Sequence, residues 1–179
     1  ERLVESVCGK EFLIGPLTFF QNNVAVAGEV FSRIRGFVSG KVLDLFCGVG
    51  AISLCVADKA SSVVGVESYR PSVDAAVENA SLNGVGGVSF VALSGQEYVK
   101  KAIIARESFD TVVVDPPRTG LEPVLARALA RLGADRLVYM SCNPRSLRDD
   151  LASLRGYRLA SLEAWDMFPQ TSHVECLAV

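Results

Sequence analysis

The chain of 179 residues has no long apolar run, no excess of basic residues and no paired-cysteine spacing. No stretch approaches the roughly eighteen apolar residues of a membrane span, and Glu1-Arg2 does not open a signal peptide, so a cytoplasmic protein with no membrane partner is expected. Lys plus Arg number 18 against 20 Asp plus Glu, a net charge of −2. That balance excludes binding nucleic acid by charge alone and leaves recognition by a shaped pocket. The five cysteines, Cys8, Cys47, Cys55, Cys142 and Cys176, are odd in number and scattered, so reduced thiols are expected rather than a disulfide framework or a metal site. Only 15 Gly and 7 Pro accompany a 50% hydrophobic content, which argues against disorder and for one well-filled α/β domain. There is no initiator Met, and the last apolar run stops at Val179 without a turn signal, as in a piece of a longer protein.

Two apolar periods alternate along the chain. After β-like runs at 3–7 and 12–14, Val26, Val30, Ile34 and Phe37 fall at helical spacing within 22–38, which Gly36 and Gly40 end. Strand-like runs follow at 42–46, 63–66, 88–92, 111–114 and 137–140, separated by helical stretches starting near Gly50, Pro71, Gly95, Pro123 and Pro144. Such β–α units predict a parallel sheet covered on both faces. The β-like runs 157–165 and 174–179 leave no room for a helix between them, so an antiparallel pair closing one edge is expected. The predicted fold class is therefore α/β, a mostly parallel, doubly wound sheet with a C-terminal antiparallel hairpin. It resembles the Rossmann-like S-adenosylmethionine-dependent methyltransferases at the level of fold. Residues 1–179 are predicted to be a single domain whose first 38 or so are a β and helical lead-in.

In an open α/β sheet the ligand lies at the carboxyl ends of the strands, nearest the first turn. That turn reads Asp44-Leu45-Phe46-Cys47-Gly48-Val49-Gly50. Gly48 and Gly50 allow a tight turn and close approach to a ligand, while Asp44 either fixes the loop or accepts from a ligand amine. A dinucleotide fingerprint needs a third glycine where Ser53 stands, which favours a cofactor without phosphates. Glu67, seventeen residues beyond Gly50, ends the second strand where a carboxylate would accept both hydroxyls of a ribose. Together these residues point to S-adenosylmethionine; the alternative is a turn that merely needed two glycines. The fourth strand leads into Asp115-Pro116-Pro117-Arg118-Thr119-Gly120, where two prolines stiffen the backbone behind the carboxylate. That corner grips a planar base or an amine, or is simply rigid, and Arg118 holds a phosphate or pairs with an acid.

The fifth strand ends Ser141-Cys142-Asn143-Pro144, placing Cys142 at the same edge, just before a helix whose N-terminal field is expected to lower its pKa. A thiolate nucleophile is the functional reading; a small buried hydrophobe is the ordinary one. Glu175 opens an otherwise apolar run, which would desolvate it and raise its pKa into the range of a proton acceptor; a solvated edge carboxylate is the alternative. His173, the only histidine, has no ligand cluster around it and is assigned a supporting hydrogen-bonding role.

In order along the chain, Phe20-Gln21-Asn22, DLFCGVG, GVE, DPPRTGL, SCNP and FPQTSHVE resemble the RNA (uracil-5-)-methyltransferases, which make 5-methyluridine in ribosomal and transfer RNA. The resemblance implies that Cys142 is the nucleophile, that Glu175 is the base, and that cofactor contacts fall on Gln21, Phe46, Glu67 and Asp115. Ala51 and Ser94 depart from it at positions where an amide side chain is often found. The family's N-terminal oligonucleotide-binding barrel and the iron–sulfur cysteine cluster of some members are absent from the sequence.

The chemistry links these residue types. A thiolate adds to carbon 6 of uracil, carbon 5 becomes nucleophilic, and after methylation its proton must leave before the thiolate is expelled. The uridine must leave its stack to be reached, with Phe46, Phe168 and the Pro116-Pro117 corner as walls of the pocket. Pro116, Pro117, Arg118, Asn143, Phe168 and His173 are the candidates for substrate contact. The expected activity is methylation of uridine carbon 5 in RNA, ribosomal favoured over transfer RNA, by a monomer. Competing readings are methylation of an exocyclic amine or of cytosine carbon 5, and an RNA-recognition module that binds the cofactor without turnover. After Asp115 every basic residue is arginine, eight against seven acids, which fits phosphate contacts or a solvated helix face.

Overall fold

A computed structural model describes residues 2–179. The lead-in is a hairpin of β1 (Leu3–Val7) and β2 (Lys10–Ile14), turned through Cys8 and Gly9, followed by helix α1 (Val24–Phe37). Helix α1 starts two residues later than its apolar pattern suggests because Asn23 caps it, its side-chain oxygen accepting from the Val26 N–H. Five strands then alternate with five helices: β3 (Lys41–Leu45), α2 (Ala51–Val56), β4 (Ser62–Glu67), α3 (Arg70–Leu82), β5 (Val88–Ala92), α4 (Gly95–Ile104), β6 (Thr111–Val114), α5 (Pro123–Leu132), β7 (Arg136–Ser141) and α6 (Pro144–Ser153). Strands β8 (Leu162–Trp165) and β9 (Glu175–Ala178) complete the chain.

The main sheet has the order β5-β4-β3-β6-β7-β9-β8. β3 to β7 are parallel, β9 runs antiparallel to β7, and β8 antiparallel to β9. Every residue of β6 is buried, and alternate side chains serve opposite faces: Val113 belongs to the core cluster that holds Ile34 and Phe31 of α1, while Val112 and Val114 belong to the one that holds Leu125 and Leu129 of α5. The chain runs outward from β3 to β5, then returns to place β6 on the other side of β3. The connections leaving β3 and β6 therefore diverge and open a crevice at their carboxyl ends.

The anticipated strand at 157–165 is shorter than its composition suggests. Gly156 turns at φ 97, Tyr157 closes a turn by donating its N–H to Leu154, and the chain meets the sheet only where Ala160 and Ser161 donate to the Val179 carbonyl. Tyr157 to Leu159 are spent rounding the end of the sheet.

The outer edge of β2 is completed by side chains rather than by another strand. Asn83, at the C-cap of α3, accepts from the Glu11 N–H and donates to the Glu11 carbonyl, at 2.9 and 2.7 Å. One turn earlier, Asn79 does the same for Leu13, at 2.8 and 3.4 Å, and also donates to the Val49 carbonyl at 3.1 Å. Two residues on a strand and four on a helix span similar lengths, so one pair of amides continues the ladder. Asn79 thereby ties the lead-in to the glycine turn. An Asn79→Ala variant is expected to lose about 2–4 kcal/mol of unfolding free energy in urea, since it leaves the Leu13 N–H and Val49 carbonyl without these partners. A loss below about 0.5 kcal/mol would contradict that role.

Candidate active site

Past β3 the backbone enters the left-handed region three times, at Phe46 (φ 63), Gly48 (φ 53) and Gly50 (φ 85). A Cβ at Gly50 would lie 3.0 Å from the Phe90 ring and 3.2 Å from Ala76, so both space and conformation require glycine there. At Gly48 nothing lies within 4 Å of such a Cβ, so the turn faces open space. Phe46 adopts the same conformation with a bulky side chain, a strained geometry that aims its ring into the crevice.

Phe19, Phe20, Gln21, Phe46, Gly48 and Asp115 line that crevice, together with Ala51 and Ile52 of α2. Gln21 donates to the Asp115 carboxylate at 3.3 Å, which joins the lead-in to the end of β6. Glu67 is engaged by the turn itself: the Gly48 N–H reaches one oxygen at 3.3 Å, and the Tyr69 N–H and Ser68 hydroxyl reach the other at 2.8 and 3.1 Å. Asp44 lies wholly buried behind the turn, with one oxygen accepting from the Ser53 hydroxyl at 2.5 Å and the other without a partner. Of its two anticipated roles, fixing the loop is the one with a visible partner. Ser53, which the sequence marks only as a missing glycine, supplies that partner.

The loops after β6 and β7 are locked together. Asp150 of α6 accepts from the Leu121 N–H and the buried Tyr139 hydroxyl, and Asn143 caps α6 while donating to the Arg118 carbonyl at 2.9 Å. Pro116 is buried and Pro117 exposed. The Arg118 guanidinium meets the His173 ring at 2.5 and 3.0 Å, and His173 stands edge-on to Phe168 with centroids 6.1 Å apart. Arg118, Phe168 and His173 thus form one exposed rim, with the Asn143 side chain in its support. Asp150 and Tyr139 carry no sequence signal beyond an ordinary acid and an ordinary strand residue. Ser94 has a local role as well, capping α4 in a reciprocal pair with Glu97.

Cys142 and Glu175 come together through register. Ser141 of β7 pairs with Cys176 of β9, so the next pair outward is Cys142 and Glu175. Glu175 is 1% exposed with one carboxylate oxygen unpartnered, and burial, then the nearby Asp115, push its pKa up to about 8. The Cys142 thiol moves in the direction opposite to expectation. Its pKa is raised, first by burial and then by Glu175 and Asp115, against which the Arg118 guanidinium acts as the lowering influence. Desolvation and two carboxylates set the direction of the shift. Burial and the charge of Asp44 likewise raise Asp115 to about 7, and burial raises Asp44 to about 7. Among the described residues no His, Cys, Asp and Glu cluster could hold a metal ion, and no helix is long and apolar enough to cross a membrane.

The model of the family described as tRNA (Uracil-5-)-methyltransferase matches residues 16–179. The chain is 38% identical to the tRNA (uracil(54)-C(5))-methyltransferase of Pyrococcus furiosus, over 98% of this chain and 41% of that protein. It is 41% identical to a 23S rRNA (uracil(1939)-C(5))-methyltransferase of Vibrio campbellii, over 92% of this chain and 38% of that one. The crystal structure of Pyrococcus abyssi tRNA (uracil-54, C5)-methyltransferase in complex with S-adenosyl-L-homocysteine superposes with a TM-score of 0.87 at 35% identity, covering 99% of this chain and 44% of that one. The chain therefore spans about two fifths of the length of these relatives.

The buried carboxyls make stability depend on pH in a defined direction. Glu175 at about 8 and Asp44 at about 7 hold protons in the folded chain that the unfolded chain releases near pH 4. Their contribution is present below the unfolded pKa and is lost as pH rises through the folded values, by at most about 1.4 kcal/mol per pH unit per group. The melting temperature is expected to fall between pH 5 and pH 8.5, and Glu175→Gln to flatten the fall. A melting temperature that rises across that range in both proteins would contradict the assignment.

Proposed function

This chain belongs to the tRNA (uracil-5-)-methyltransferase family, and on that premise we propose that it methylates carbon 5 of a uridine in RNA, using S-adenosylmethionine, through a covalent adduct on Cys142. The observation that carries this reading is the Cys142 and Glu175 register at the open edge of the sheet. Methylation of an exocyclic amine uses neither a nucleophile nor a base at that place.

The crevice suits the cofactor. Its aromatic and glycine lining matches an adenosine without phosphates, and Asp44 and Asp115 each hold a raised pKa that a cation would relieve. Gln21, Phe46, Gly48, Gly50, Glu67 and Asp115 would hold it, with Asp44 behind the turn and Glu67 on the ribose. S-adenosylmethionine, when bound, supplies an electrophilic methyl group.

The chain's own residues do the rest. The Cys142 thiol gives its proton to solvent, the Arg118 guanidinium favouring the thiolate, and the thiolate adds to carbon 6 of uracil as the 5,6 double-bond electrons move towards the carbonyl oxygen at carbon 4, which makes carbon 5 electron-rich. After methylation the carbon 5 proton passes to the Glu175 carboxylate, and the electrons of that C–H bond form the ring double bond as the carbon–sulfur bond breaks. A pKa near 8 suits a group that takes up a proton from carbon and later releases it. Phe168, His173, Arg118 and Pro117 form the rim against which an unstacked base would lie, Pro116 supports it from below, and Asn143 holds the Arg118 loop in place. We favour ribosomal over transfer RNA on the strength of the 41% relative.

The test is methyl transfer from labelled S-adenosylmethionine to unmodified ribosomal and transfer RNA transcripts. Cys142→Ala is expected to abolish transfer while S-adenosylhomocysteine still binds. Glu175→Gln is expected to slow turnover by about 10²–10⁴-fold, with methylated RNA accumulating as an adduct. In the unaltered protein the rate should rise as pH is raised towards about 8, where Glu175 ionises. Undiminished transfer by Cys142→Ala would overturn the proposal, and cofactor binding without transfer to either RNA would identify a binding module.

A further inference from the structure

The antiparallel closing strands bring a second residue to Glu175. β8 is the outermost strand of the sheet, and its last residue, Trp165, pairs directly with Glu175 of β9. Directly opposed residues project from the same face, so Cys142, Glu175 and Trp165 form one row across three strands. The neighbouring rows agree: Met140 and Leu177 belong to the core cluster that holds Phe31 and Ile34 of α1, against which Trp165 packs, whereas Tyr139, Cys176 and Ala178 belong to the other face. β8 is fixed in place, since the Arg33 guanidinium of α1 clasps Glu163 at 2.7 to 3.1 Å and Asn23 donates to the Met167 carbonyl at 3.3 Å. Among the described residues four buried side-chain polar atoms have no hydrogen-bond partner, and two of them belong to this one pair: Trp165 Nε1, a donor, and Glu175 Oε1, an acceptor. Unpaired buried groups are costly, and here each is the other's complement on directly opposed residues. Opposed Cβ atoms lie about 4.5–5.5 Å apart, a gap that the side-chain torsions of glutamate can span.

We propose that Trp165 is the positioning residue of Glu175: its ring closes the sheet edge beside the carboxyl, and its indole N–H is the donor that binds the carboxylate when it is charged. The two parts act in opposite directions. The ring keeps water from the β8 side, which favours the neutral acid, whereas the N–H bonds the anion more strongly than the acid and so favours the ionised base. One oxygen held towards β8 leaves the other on the Cys142 side, where the carbon 5 proton has to be accepted. The pairing itself rests on register; its effect on the rate rests on Glu175 being the base of the proposed reaction. Other charged or titratable groups stand on the elements around the pair: Asp115 after β6, Cys142 after β7, His173 and Cys176 near Glu175 in the chain, Glu163 and Asp166 near Trp165, with Arg33 of α1 on Glu163 and Arg118 on His173. Comparison with Glu175→Gln separates Glu175 from all of them.

The chain holds a single tryptophan, so its fluorescence reads this pair directly. Without cofactor or RNA, the emission is expected to show a step centred near pH 8 that Glu175→Gln lacks. In protein labelled with carboxyl-13C glutamate, NMR follows the same proton in variants that have no indole. Trp165→Phe keeps an aromatic ring and loses the N–H, and is expected to raise the Glu175 midpoint by about one pH unit. Trp165→Ala opens the sheet edge to water and is expected to lower it. The Phe variant decides the matter by itself if the smaller one does not fold. Methyl transfer by Trp165→Phe at pH 7 is expected to slow about tenfold as the ionised fraction falls, with S-adenosylhomocysteine bound as before. An emission profile that is the same in Glu175→Gln, a midpoint that stays or falls in Trp165→Phe, or one that rises in Trp165→Ala, would overturn the proposal. Midpoints that move as expected in a chain that methylates no RNA would uphold the pairing and overturn the reading of the reaction.

Discussion

The site depends on one reversal of strand direction. In β3 to β7 every carboxyl end points to the same edge, which brings Asp44, Glu67, Asp115 and Cys142 together from four separate strands. A further parallel strand would have carried its first residue to the opposite edge. Because β9 runs antiparallel, its first residue, Glu175, arrives beside the residue that follows the last of β7. A period-two register then decides which side chains meet. A slip of one residue in the β7–β9 pairing would turn Glu175 to the other face and present Cys176 or Val174 to Cys142.

Electrostatics follow from the same convergence. Asp44 raises Asp115, Asp115 raises Glu175, and both Asp115 and Glu175 raise Cys142, each on top of the larger effect of burial. Acidic groups are thus gathered where water is scarce, and Arg118 is the cation that opposes them at the sulfur. Such a cluster holds its protons to higher pH than free carboxyls do. The scaffold beneath it is built from neutral or buried bonds: Ser53 to Asp44, Tyr139 to Asp150, Asn79 to Val49.

Much of this is legible in the amino-acid order because apolar periodicity and Gly or Pro punctuation are local. The strands at 88–92 and 111–114 and the helix starts at Gly95, Pro123 and Pro144 agree with their composition residue for residue. The antiparallel closing pair is likewise readable, since the segment between β8 and β9 is too short for a crossover. Partnerships across long separations are not. Nothing local says that Asn79 will serve as a strand edge for Leu13, or that Ser53 will hold Asp44. The expected drop in the Cys142 pKa fails for the same reason. The helix that would lower it is adjacent in sequence, whereas Glu175 and Asp115, which raise it, arrive from other strands. The desolvation of Glu175 is readable because its apolar neighbours, Cys176 to Ala178, are its own strand.

The central claim is that Cys142 and Glu175 act as a nucleophile and base on one uracil ring, and 5-fluorouridine in RNA tests both at once. Fluorine at carbon 5 cannot be taken as a proton, so the reaction must stop after sulfur addition and methylation. The protein incubated with S-adenosylmethionine and fluorinated RNA should gain the mass of the methylated RNA adduct, mapped to Cys142, and should gain none without the cofactor. An adduct on another cysteine, or no adduct in a sample where cofactor and RNA are both shown to bind, would contradict the account.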